Sequence, residues 1–85
     1  MPHHKSAAKR IITNEKARQR NAAARARMRT ALKAVRACTT RAAADPALRQ
    51  AVSILDRTAA KGIIRKDTAS RHKARLARFA ARLPA

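Results

Sequence analysis

SAAKRIITNEKARQRNAAARARMRTALKAVRACTTRAA, residues 6–43, contains neither glycine nor proline. It is built from alanine, arginine and lysine, which lose little on entering a helix. Ser6 is suited to cap its start, so the stretch predicts one long helix over about 6–43. At about 1.5 Å per residue that helix would be roughly 55 Å long.

Breakers divide the rest of the chain. Asp45-Pro46 reads as a stop and a new start, because proline disfavours helix in the residue before it while aspartate caps and proline occupies a first turn. Helix two is expected over about 46–61, closed by Gly62 in the left-handed position, with Lys61 at the negative end of the dipole. After a link over Ile63 to Lys66, Asp67 can cap helix three over about 68–83, ended by Pro84. The later helices would each be roughly 25 Å long.

Apolar spacing shows which faces pack. Helix one carries Ala24, Met28, Ala31, Val35, Cys38 and Ala42 at alternating steps of four and three, with Leu32 alongside. Helix two offers Leu48, Val52, Leu55 and Ala59, flanked by Ala51 and Ile54. Helix three offers Leu76, Phe79, Ala80 and Leu83, with Ala69 and His72 on the same side. Three stripes with short connections make an all-α, antiparallel three-helix bundle, one domain over residues 1–85. The core must be small, since 23 of the residues are alanine.

Helix one outruns its companions. Its first half, Lys5 to about Ala23, has no partner to pack on, carries Lys5, Lys9, Arg10, Lys16, Arg18 and Arg20 against Glu15, and holds only Ile11 and Ile12 as bulky apolar residues. Such an arm should fray alone and be ordered by a polyanion. The whole chain carries a net charge of +18, with 22 Lys and Arg against Glu15, Asp45, Asp56 and Asp67. Self-repulsion of that kind calls for an anionic partner. Fifteen of the cations are arginines, whose planar fork suits phosphates and base edges, which favours nucleic acid.

The candidate contacts lie on the charged stripes. Helix three presents Arg71, Arg75, Arg78 and Arg82 at steps of four, three and four, about 120° from its apolar line, and His72 and Lys73 are further candidates on the same helix. Helix one presents Arg18, Arg25, Arg29 and Arg36, joined by Lys33 and Arg41, and among them Gln19, Asn21 and Thr30 have polar groups that suit phosphates or base edges, with Ser6 a further candidate. Lys61 and Lys66 flank the turn between helices two and three. As solvated charged faces these stripes would need no partner, but no carboxylate interrupts helix three after Asp67.

Catalysis and cofactors are not expected. Scattered carboxylates form no acid–base pair, no glycine-rich phosphate loop occurs, and so small a core leaves no room for a substrate pocket. His3, His4 and His72 have no ligand cluster, and the lone Cys38, which excludes an internal disulfide, reads as a small core residue. Neither a signal-like leader nor a membrane-spanning run is present, so a cytoplasmic location without membrane partners or small-molecule substrates is expected. The one aromatic residue, Phe79, offers no platform for single-stranded bases, which leaves recognition of a folded nucleic acid by shape and phosphate.

Specific residues then resemble a known family. His4-Lys5-Ser6-Ala7, Lys9-Arg10, Glu15-Lys16, Arg18, Asn21-Ala22, Arg25, Met28-Arg29-Thr30 and Lys33, then Asp56-Arg57, Ala59-Ala60-Lys61-Gly62-Ile63-Ile64, Lys66, Ala69, Arg71-His72-Lys73 and Leu76 are similar to the bacterial small-subunit ribosomal protein twenty family. The resemblance spans His4 to Leu83. It implies a three-helix bundle with a long first helix that binds 16S ribosomal RNA directly and early in assembly. It also implies a position at the bottom of the subunit body, bridging the 5′ domain and the penultimate stem of the 3′ minor domain, with few protein contacts. Ala23, Ala26 and the Asp45-Pro46 connection depart from the family pattern. Two alternatives stay open: a histone-like DNA-compacting protein, which shares the charge and alanine content, and a cationic membrane-active helix, which would need a strongly amphipathic segment with large apolar residues where the basic arm has only Ile11 and Ile12.

Overall fold

The computed structural model describes residues 2–85, with side chains from Lys5 onward. Three helices follow in order, α1 (Pro2–Arg36), α2 (Arg41–Ala60) and α3 (Lys66–Ala81). The described residues form an all-α three-helix bundle with extents of 67 × 20 × 12 Å. Helix α2 lies between the other two, because it packs closely on both while α1 and α3 barely meet.

Both neighbours of α2 run antiparallel to it. Ala24 and Arg27 line the same hollow as Thr58 and Lys61, whereas Ala31 and Ala34, further along α1, sit beside Ala47 at the other end of α2. On the other side Lys73 of α3 reaches Asp56 near the end of α2, with Nζ 2.8 Å from the carboxylate. Met28, Val35, Ala51, Leu55, Ala69 and Leu76 form the buried cluster, and the apolar faces expected of the three helices largely supply it.

The helix boundaries differ from expectation at the first connection. Helix α1 ends at Arg36, not near residue 43, and α2 begins at Arg41, not at Pro46. Thr40 is the N-cap instead of Asp45, its hydroxyl accepting from the Ala43 amide at 3.3 Å. The α2 start is also held from a distance. The Arg41 amide donates to the Pro84 carbonyl at 2.8 Å, and the Arg41 guanidinium donates to the Ala81 carbonyl at 2.6 Å. Pro46 therefore lies inside α2, where it lacks an N–H for the Ala42 carbonyl but does not stop the helix. Cys38 and Ala42 leave the seam as a result. Ala42 is exposed, while Cys38 is half-buried in the connection and its thiol donates to the Ala34 carbonyl at 3.3 Å.

The other ends shift less. Ser6 is inside α1 and caps nothing, since the helix begins at Pro2, a residue suited to a first helical position. Helix α3 starts slightly earlier than expected, behind Arg65, and Asp67 sits in its first turn near the positive end of the dipole. Gly62 adopts a φ of 76° as expected. Its amide donates to Ala59 at 3.0 Å and the Ile63 amide donates to Thr58 at 3.2 Å, which is a Schellman closure. A Cβ at Gly62 would meet nothing within 4 Å, so only the backbone conformation restricts this position. Gly62→Ala is expected to lower stability by about 1 kcal/mol in urea denaturation.

The arm is helical but unpacked. Every side chain from Lys5 to Ala23 is exposed except the half-buried Ala17. Strong helix formers and a local ion pair support it, Arg18 to Glu15 at 2.7 Å one turn apart.

Candidate nucleic-acid interface

Side chains from α1 and α2 build a groove along one side of the molecule. Lys16, Gln19, Arg20 and Ala23 line its outer part. Further in, Arg20, Asn21, Arg27, Lys61 and Ile63 converge where the arm leaves the bundle. The groove continues past Arg57, Gln50 and Ser53 of α2. Antiparallel packing is what carries Arg57 and Lys61 to the same level as Arg20 and Arg27 on α1.

Two of those cations escaped the sequence reading. Arg27 and Arg57 both line the groove, yet neither falls on the arginine stripes. A signal for Arg27 exists, because Lys9, Lys16, Arg20 and Arg27 repeat at steps of seven, four and seven on one flank of α1. Nothing in α2 alone marks Arg57, since the relative rotation of two helices is decided by their packing.

The opposite flank of α1 carries Arg18, Arg25, Arg29 and Arg36, all exposed, roughly 160° around the helix from Arg27 and Ala34. Arg71, Arg75 and Arg78 are likewise placed on α3, where Arg71, Arg75 and Arg78 reach solvent and Arg78 rests its Nε 3.3 Å from the Ala74 carbonyl. Lys5, Ser6, Lys9, Arg10, Lys33 and Lys66 are exposed as well. Thr30 is exposed but its hydroxyl donates to the Ala26 carbonyl at 3.0 Å. His72 and Lys73 depart from this pattern, being half-buried, and Lys73 is engaged by Asp56 across the α2–α3 seam.

Few of these charges are neutralised internally. Among the described residues the ion pairs are Lys73–Asp56 and Arg18–Glu15, the latter at 2.7 Å with a second bond from Nε at 3.1 Å. That two-pronged contact holds the Glu15 carboxyl below the usual carboxylate range and raises Arg18. The groove itself contains no carboxylate, so its potential is unopposed.

Such an arrangement can bind a polyanion over a long track and offers little else. Among the described residues no three His, Cys, Asp or Glu side chains come together, and the side chains of His3 and His4 lie outside the described residues. Among the described residues no helix is long and apolar enough to cross a membrane. Compared with known families, residues 2–81 match the family described as Ribosomal protein S20.

Proposed function

This chain belongs to the ribosomal protein S20 family, a structural constituent of the small ribosomal subunit, and on that premise we propose that it binds 16S ribosomal RNA directly through two cationic surfaces. The arm and the α1–α2 groove take one RNA element. Arg29 and Arg36 of α1 and the arginine face of α3 take a second. With phosphates neutralised on both sides, RNA helices that would repel each other can pack during assembly. The 5′ domain and the penultimate stem of the 3′ minor domain are the two elements this reading assigns.

One observation carries it: guanidinium and ammonium groups from two helices meet in a groove that contains no acidic side chain. A DNA-compacting protein would use the same charges without regard to the fold of its partner. Competition separates the two. Complexes with in vitro transcribed 16S ribosomal RNA are expected to survive a mass excess of duplex DNA in a filter-binding assay. Equal displacement by either nucleic acid would reject the ribosomal RNA reading in favour of general compaction.

A further inference from the structure

One strip of the arm carries no cation. Ile11 and Ile12 are the large hydrophobic side chains left exposed among the described residues, at 69% and 57%. Successive helical residues are about 100° apart, so Ala8, one turn earlier, and Glu15, one turn later, both fall between the two isoleucines. The midpoint of this strip points about 170° away from the buried line of Ala24, Met28 and Val35. Lys5, Lys9 and Lys16 stand about 90° to one side of it, and Arg18 and Arg25 about 80° to the other.

We propose that this strip is a keel lying along the floor of an A-form RNA minor groove, with Ile11 and Ile12 against riboses and the flanking cations on the phosphates of either wall. The proposal rests on the RNA-binding reading above and adds which face of the arm meets which face of the RNA. An occupant must be anionic at both edges and uncharged along the middle. The A-form minor groove has that cross-section, being wide and shallow, floored by 2′-hydroxyls and base edges, with phosphates at its rims.

Other occupants fit less well. A lipid surface would have to take up Glu15 between the two isoleucines, and two bulky apolar residues are few for an interfacial helix. A second copy of the chain is repelled by a net charge of +18. Glu15, already bonded to Arg18 at 2.7 Å and to Gln19 at 3.3 Å, remains 47% exposed. Facing a phosphate it would repel; on the keel its carboxylate can accept from a 2′-hydroxyl or a guanine amino group.

The test is an Ile11→Ser/Ile12→Ser variant of the full chain, titrated against in vitro transcribed 16S ribosomal RNA at several salt concentrations. Because both side chains project from the unpacked arm, the urea midpoint should match the parent. Affinity is expected to fall about tenfold with an unchanged salt slope, since apolar contacts release no counterions. A Lys9→Gln/Lys16→Gln variant should instead lower the slope by up to about 2. Parent-like affinity in the serine variant overturns the keel while leaving RNA binding intact, and so does a loss accompanied by the lysine-type change in slope. If the parent itself does not bind, both readings fail. Loss of binding to phosphatidylglycerol vesicles without loss of RNA affinity would assign the strip to a membrane surface and overturn the keel.

Discussion

Raising salt from about 50 to about 200 mM is expected to weaken the complex with 16S ribosomal RNA by about 1,000-fold or more. The size of the effect comes from counting. Each phosphate neutralised on a duplex releases condensed counterions and adds about −0.9 to the slope of log affinity against log salt. The arm, the groove and the α3 face together present more than enough unpaired cations for six to ten such contacts, taking about that range as the basis of the estimate. A variant with Arg20→Gln, Arg27→Gln, Arg57→Gln and Lys61→Gln should reduce the magnitude of the slope by about 3 to 4 units. Those side chains are exposed and make no ion pair among the described residues, so the fold should tolerate their neutralisation. Lys73 provides the contrast: its ammonium is held by Asp56 at 2.8 Å, and Lys73→Gln should change the slope little. An unaltered slope in the fourfold variant would mean that the groove is not a phosphate track.

Much of the fold is legible from residue patterns, and the failures have identifiable causes. The steps of three and then four through Met28, Ala31 and Val35, or of three and four from Leu76 to Phe79 and to Ala80, report a buried helical face wherever the bundle is. Gly62 can be read because a left-handed residue after Lys61 leaves almost no other choice. The first connection misleads because Asp45-Pro46 has the stronger local signal, while the true break lies at Cys38-Thr39-Thr40. What favours that break is partly remote, through the bonds from Arg41 to Pro84 and Ala81. Arg57 is hidden for a similar reason. A cation on α2 becomes part of a groove only once the rotation of α1 against α2 is known.

Leu55→Ala is expected to cost about 3 kcal/mol of stability, roughly two orders of magnitude in the folding equilibrium. The fully buried large side chains are Leu55, Leu76 and Val35, and alanines make up much of the remaining core, so little bulk exists nearby to close a cavity. Against a total of roughly 4 to 13 kcal/mol for a chain of this length, that loss should move the urea midpoint far down or abolish the transition. Ile12→Ala removes a comparable side chain from the arm and should shift the midpoint by under about 0.5 kcal/mol equivalent, because Ile12 is 57% exposed. The two substitutions should separate again when RNA is added. A ligand that binds only the folded chain contributes about 2.7 kcal/mol at about a hundred times its dissociation constant. The Leu55→Ala protein should therefore regain most of its helical signal on 16S ribosomal RNA, since the cations that bind lie on the surface and survive the substitution. Failure to recover under those conditions would show that the groove needs a rigid bundle beneath it, and that Leu55 holds α1 and α2 at the rotation which brings Arg27 to Arg57.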